Sequence, residues 1–534
     1  MKKILLQTTF LTITLASSIF SQWSTDPNDN LIIGYGLNPE LCSDSAGGCY
    51  VTYEYGTTGY PRKLALERLN IYGYKPWGDK KQILGELPEQ WQAEIVEDGE
   101  GGVIISYLDD IISGTDFTYR VRVQRIDSAG NFLWSNTGVR VTTAETNHGN
   151  QAIVSDGIGG CIVVWSQILP DYTYDYRANR INNLGERAWS DTGIILVNSG
   201  SSEPANIVRA SDGNYYIQIS NIYRLNQYGH IINQYYGNML GQPIPDSEGG
   251  VILSGGANWS INGYTLVAQR KDSLGNNLWQ EPYVEIADSL GLGSFRIGVN
   301  KSIISYTWLG ALNGQSARPF MQSVRLDGSI IYPNKILLSN DSSGTTIIGI
   351  IPSNLQKTIY SWSIASEVNS IFAQMYDTLG NKLWNENGVK VTHPRMTYQK
   401  YTTDSRGGFI IAGLIDNFTV LVQQVSRNGN LGEIITAVDE KIEPILPSSN
   451  ALHQNYPNPF NSSTIIKYQA QKEGRIKIKL YNVLGEKIKT LFEGERSAGT
   501  YKINFSSDEL PSGNYFYSLE GNSFREVKKL TILK

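Results

Sequence analysis

The feature that most constrains this chain is a turn that recurs along it. Asp127-Ser128-Ala129-Gly130 is followed by Trp134, and the pattern returns as Asn182-Asn183-Leu184-Gly185 with Trp189 and Asp272-Ser273-Leu274-Gly275 with Trp279. It appears again as Asp377-Thr378-Leu379-Gly380 with Trp384 and Asn70-Ile71-Tyr72-Gly73 with Trp77. Weaker copies end in Gly229, Gly328 and Gly429 and lack the Trp. Successive turn glycines lie 44 to 57 residues apart. A second motif, Asp-x-x-Gly-Gly before an apolar run, keeps step with the first at Gly47-Gly48, Gly101-Gly102, Gly159-Gly160, Gly249-Gly250 and Gly407-Gly408. Tyr53, Tyr107 and Trp165 each follow its second Gly by five residues, and Trp308 and Trp362 take the matching place in copies without the glycines.

In such turns the Asp or Asn side chain accepts from its own backbone, while Gly supplies the left-handed residue. The runs between them, such as Val121–Ile126 and Leu266–Arg270, alternate with the two-residue period of half-buried strands. Each unit therefore reads as three to four strands, which is the unit of a β-propeller rather than of a helical solenoid. Eight copies predict eight blades, or seven if one degenerate copy is an insertion. Gln22-Trp23 with Leu31-Ile32-Ile33 reads as the second half of a repeat placed ahead of the first full one. A strand there would complete the last blade and leave no sheet edge open.

Composition agrees with an all-β chain. It has 53 Gly, 32 Tyr and only 18% charged residues, against roughly 25% in ordinary globular domains. From Ala451 onward 13 Lys and Arg face 8 Asp and Glu, and upstream 32 face 42. That acidic excess argues against a nucleic-acid partner, which needs a basic footprint.

The amino terminus reads as a signal peptide over 1–21, with basic Lys2-Lys3, an apolar run from Ile4 to Ile19, and cleavage after Ser18 or Ser21. No later run is long and apolar enough for a membrane span in the mature chain. The repeat domain is expected over 22–438, a Pro-containing linker over 439–450, and a small antiparallel sandwich of immunoglobulin-like form over 451–534. The last segment opens with Asn455-Tyr456-Pro457-Asn458-Pro459-Phe460, continues through Asn482-Val483-Leu484-Gly485-Glu486 and Gly513-Asn514-Tyr515, and ends on Lys528-Lys529 and the tail to Lys534. This ordered series resembles the type A C-terminal sorting domain of the type IX secretion system. The resemblance implies recognition by that machinery through Asn455, Pro457, Asn458, Pro459, Phe460, Gly485, Gly513, Tyr515, Lys528, Lys529 and Lys534. It also implies passage through the periplasm to the medium or to the cell surface at the outer membrane.

Chemistry is sparse in the rest. The four His are scattered at 148, 230, 393 and 453, so no zinc spacing exists. Asp26-Pro27-Asn28-Asp29-Asn30 lacks the Gly and Glu of a calcium loop. No metal or other cofactor is expected. The recurring turn resembles the Asp-box of sialidases, with both spacings one residue longer. That resemblance implies a structural role, and the five Trp (77, 134, 189, 279, 384) are expected to pack. Cys42 and Cys49 flank a turn and would face each other there, compatible with a disulfide in an oxidising compartment. Cys161, which matches Cys49, reads as a small buried residue. The favoured function is a non-catalytic binding or adhesion module on the propeller face, taking a glycan, a peptide or a surface protein. Tyr-rich loops such as Asp171–Tyr176 would supply contact area. The alternative is an extracellular glycosidase-like hydrolase acting on polymers, and the discriminating feature is convergence of carboxylates on the central axis.

Overall fold

The computed structural model describes residues 22–433 and 450–533, less short stretches of which 57–61, 84–88, 237–242, 291–294 and 311–316 are the longest. The expected signal peptide, and the expected linker up to residue 449, lie outside the described residues. The chain divides into two compact units, Met1–Ile434 and Ile435–Lys534. Apart from one 3-10 turn at Ala365–Glu367, every described element is a β-strand. No helix among the described residues is long and apolar enough to cross a membrane.

Among the described residues the first unit is built of eight four-stranded antiparallel sheets. Seven are consecutive in sequence, and their first strands are Leu37–Ser43, Gln90–Glu97, His148–Ser155, Asn206–Arg209, Ile244–Pro245, Arg296–Asn300 and Thr345–Ser353. The eighth begins at Thr397–Thr403 and takes its fourth strand, Leu31–Tyr35, from the amino terminus. Leu31 lies opposite Val422 and Tyr35 opposite Thr419, as the half repeat ahead of the first full one predicts. First strands of the first five sheets neighbour one another in succession, as do those of the sixth to the eighth. The eighth first strand then meets that of the first sheet.

The two recurring motifs do different work. Asp-x-x-Gly-Gly lies between first and second strands and acts as a clasp. Asp98 Oδ1 accepts the backbone N–H of Glu100 and Gly102 at 2.7 and 2.8 Å, and its Oδ2 accepts Arg125 Nε at 2.9 Å. Asp44 pairs in the same way with Arg68, Asp156 with Arg180 and Asp246 with Arg270, each arginine reaching back from the third strand. In the eighth sheet Asp404 has Gln424 Nε2 at 3.3 Å in place of the arginine. The aromatic residue that follows three of the clasps, Tyr53, Tyr107 or Trp165, is fully buried, as are Trp308 and Trp362 in the copies without the glycines.

The Asp-x-x-Gly turn follows the third strand. Asp127 Oδ1 accepts from Ala129 and Asn131, and Gly130 has φ 92°, a backbone that only glycine adopts without strain. The Trp beyond it stitches neighbouring sheets together. Trp134 Nε1 donates to Asn183 O at 3.1 Å and Trp77 to Ser128 O at 3.1 Å. Trp189, Trp279 and Trp384 donate likewise to Gln227, Leu326 and Arg427. Every acceptor lies in the turn of the next sheet.

The expected Cys42–Cys49 disulfide is corrected by the register. Cys49 lies opposite Ser43 and Cys42 opposite Tyr50, so the two side chains project from opposite faces of the sheet. Both are free, as is the buried Cys161.

In the second unit Ala451–Leu452, Ser463–Ala470 and Gly499–Ser506 form one sheet, and Lys487–Arg496, Gly474–Tyr481, Gly513–Gly521 and Phe524–Ile532 form another. Leu452, Ile466 and Tyr468 of the first and Ile478, Tyr517 and Leu530 of the second share a single core.

Candidate functional site

Four of the eight first strands begin with the same irregularity. The ladder slips between Leu37 and Glu40, between Trp91 and Glu94, between Gly149 and Ala152, and between Thr397 and Lys400. Within each bulge one residue turns left-handed: Asn38 (φ 48°), Gln92 (49°), Asn150 (46°) and Tyr398 (51°). Such bulges re-aim side chains at the rim of a sheet and are common beside functional sites. Here they border one recess of about 430 Å³, lined by Asn38, Glu40, Gln92, Glu94, Gln151 and Lys400 among others.

The residue at which pairing resumes is Glu40, Glu94, Ala152 or Lys400. Each stands four positions before the clasp aspartate of its repeat. Lys400 Nζ lies 2.6 Å from Glu40 Oε1. Burial raises the Glu40 carboxyl, and Lys400 works against that rise. Glu94 is pushed up to about 7, first by burial and then by the charge of Glu40, with Lys400 and the Ile153 backbone N–H opposing. The rim is fixed from behind. Glu54 Oε1 accepts Asn38 Nδ2 at 3.0 Å and the Gln92 N–H at 2.9 Å, which ties two bulges together. Gln151 Nε2 donates to the Gln92 carbonyl and ties in a third.

Strand direction puts more chain at this end: the links from fourth strands to first strands, and the turns joining second to third strands. Tyr35, Tyr172, Tyr236, Tyr398 and Phe418 lie there, all at least half exposed. In the expected Tyr-rich loop, Tyr172 is exposed whereas Tyr176 is buried in a strand. Asp109 is buried against Arg122 Nε at 2.5 Å. Among the described residues no group of three His, Cys, Asp or Glu gathers as a metal site requires.

The sorting residues form a second constellation, in the other unit. Asn455 is buried, its N–H donating to Tyr517 Oη at 2.7 Å and its Nδ2 to Thr464 Oγ1 at 3.0 Å. Asn458 Oδ1 accepts the Thr531 N–H at 2.8 Å, and Phe460 bridges to Ile532 in parallel register. Gly485 closes the Asn482 turn, and Tyr515 Oη donates to Pro511 O at 2.9 Å. Lys528 and Lys529 lie on the final strand, and Pro457, Pro459 and Lys534 fall outside the described residues. Thr464, Tyr517 and Thr531 complete the arrangement without having been legible in the motifs.

Residues 454–533 match the family model of the secretion system C-terminal sorting domain. The second unit is thus a type IX secretion sorting domain, the mark of an exported chain. No curated protein matches the chain. Among solved structures it is similar to a eukaryotic initiation factor (TM-score 0.38, 10% identity, covering 71% of this chain and 94% of that one). It is also similar to an ulvan lyase of a polysaccharide lyase family (0.36, 10%, 78% and 98%). A third is an α-L-arabinanase of Penicillium chrysogenum complexed with arabinobiose (0.30, 11%, 67% and 97%). At that distance none of them bears on what this chain does.

Proposed function

We propose that this is an exported eight-bladed β-propeller, carried to the medium or the outer-membrane surface by its immunoglobulin-like sorting domain, whose axial recess binds an extracellular glycan. A signal peptide over 1–21 and a linker over 439–450 complete that reading. What supports the ring is the succession of first strands and its closure by Leu31–Tyr35. What carries the binding reading is the convergence of four bulged strands on one recess rich in amides and carboxylates, within the usual size range of a small-ligand site. Side-chain amides donate and accept at once, as sugar hydroxyls do. Tyr398, exposed at the rim, offers a face for a sugar ring.

The test is binding of the full chain to immobilised polysaccharides, beside Gln92→Ala and Tyr398→Ala variants. Binding that falls at least about tenfold, the equivalent of one lost hydrogen bond or stacking contact, places the ligand in the recess. Binding that ignores both substitutions, or none to any polysaccharide, defeats the reading.

A further inference from the structure

The recess holds more than a binding site needs, because its carboxylates are placed as a working pair. Glu40 and Glu94 stand on adjacent first strands at the same register step, each being the residue where the ladder resumes after its bulge. Both line the one recess, and nothing comparable is repeated at the third bulge, where the equivalent residue is Ala152. Their surroundings differ. Glu40 has an ammonium at 2.6 Å, which favours its ionised form, whereas Glu94 is held towards its acid form by burial and by the repulsion of Glu40, against the weaker pull of Lys400 and the Ile153 N–H. Two carboxyl groups set apart in this way divide naturally into a base and an acid.

We propose that the recess hydrolyses glycosidic bonds in a neutral polysaccharide, with Glu94 as proton donor, Glu40 as base and Lys400 as the residue that positions Glu40. The proposal rests on the reading of the recess as a glycan site. Glu94 gives its proton to the glycosidic oxygen as the C1–O bond breaks, and the departing sugar leaves as an alcohol. A water molecule bonds to C1 and passes its proton to Glu40. One water is consumed per bond, and exchange with solvent returns Glu94 to the acid and Glu40 to the carboxylate. The position of Glu94 near 7 suits a donor working at neutral pH. Neutral chains are the fitting class because uronic or sialic acids would bring a third carboxylate to a recess that offers only Lys400 as counter-charge among its lining residues. Gln92 brings a side-chain amide to its hydroxyls, and Asn38 and Gln399 line the recess with amides anchored on Glu54 and on the Met396 carbonyl.

The experiment uses the full chain and a panel of neutral polysaccharides (xylan, arabinan, mannan, β-glucan, starch), with alginate and polygalacturonate as acidic controls. Released reducing ends and binding are read on the same polymers. The expected result is release from at least one neutral polymer, and a fall of about 100-fold or more in Glu94→Gln while that polymer still binds. An aryl glycoside with a good leaving group, which needs no proton donor, should recover much of the lost rate in Glu94→Gln but not in Glu40→Gln. Lys400→Met should shift the pH profile of the wild-type reaction. Binding without release in the wild type overturns the hydrolase and leaves the glycan site standing, as does release that Glu94→Gln does not change. No binding to any polymer removes both.

Discussion

The Trp23 indole N–H donates to the Ile71 carbonyl at 2.8 Å, and its ring covers Gly73 so closely that a Cβ there would lie 3.0 Å from it. Trp134, Trp189, Trp279 and Trp384 cover Gly185, Gly229, Gly328 and Gly429 in the same way. Trp23 therefore supplies the stitch that the eighth sheet's own turn, ending at Gly429, lacks. Where the fourth sheet has no Trp, Asn233 Nδ2 donates instead to Leu274 O at 2.9 Å. The stitch into the first sheet thus repeats the internal ones, and Gln423 Nε2, donating to Ser24 O at 2.9 Å, ties the same amino-terminal segment to an eighth-sheet strand 399 positions away.

Trp23→Ala should accordingly destabilise the first unit by about 3–5 kcal/mol, the usual cost of removing a buried aromatic. The ring is 3% exposed and helps seat the amino-terminal segment, whose strand Leu31–Tyr35 completes the eighth sheet by hydrogen bonding alone. Trp189→Ala, at a more exposed stitch that seats no chain end, should cost less. Urea unfolding of the two variants ranks them, and equal losses would deny the seam any special role.

The clasps predict a contrast within one motif. Asp98→Asn leaves Arg125 buried with Glu100 as its remaining carboxylate, and should cost on the order of 3 kcal/mol as a broken buried pair does. Asp404 has no arginine on the third strand, and burial raises its carboxyl despite the Arg406 and Gly408 N–H bonds. Gln424 Oε1 is buried beside it without a hydrogen-bond partner. In Asp404→Asn the new amide can donate to that oxygen once Gln424 turns over. Because the amide brings no charge into that buried site, the substitution should be neutral or stabilising at pH 7. Melting temperatures at pH 7 compare the two directly.

These pairs show what the sequence could and could not reveal. The turn motifs were legible because Asp, Asn and Gly bond within five residues, and the strands because alternation is local. The arginines of the clasps were not, since Arg68, Arg125, Arg180 and Arg270 lie 24 to 27 positions from their aspartates and become partners only when the third strand folds back. Cys42 and Cys49 failed for a related reason: a register one residue away from the expected one sends a side chain to the other face. The recess left a faint signal in the residue four before each clasp aspartate, which reads Glu, Glu, Ala and Lys at 40, 94, 152 and 400. Nothing in one chain marks that position as the lining of one recess until the first strands are set side by side.

Glu94 makes stability depend on pH. Its folded value, about 7, lies above the ordinary 4.5, so the folded protein holds this proton more tightly than the unfolded chain does. The resulting penalty is absent below about pH 4.5, grows as pH rises and is complete above about 7. The charged groups facing Glu94 are Glu40, which adds to the effect, and Lys400, which reduces it. Glu94→Gln cannot ionise, so its melting temperature should exceed that of the wild type at pH 8 and match it near pH 4.5. A gap that stays constant over that range would mean that Glu94 is not the titrating group.

The sorting domain offers a separable test of folding and recognition. Its final strand contributes Leu530 and Ile532 to the core, and the Phe460 carbonyl accepts the Leu533 N–H at 2.8 Å while the Phe460 N–H donates to Thr531 at 3.0 Å. Deleting residues 527–534 removes the strand and both contacts, so the protein should accumulate in the periplasm instead of the medium or cell surface. Lys528 and Lys529 differ from Leu530, because their side chains are outside the core and only the Lys529 carbonyl is used, by Asn458 and Gln454. A Lys528→Ala, Lys529→Ala double variant should keep the melting temperature of the domain and still lose export, if the lysines are what the secretion machinery reads. Normal export of that variant would assign the loss in the deletion to unfolding of the sandwich.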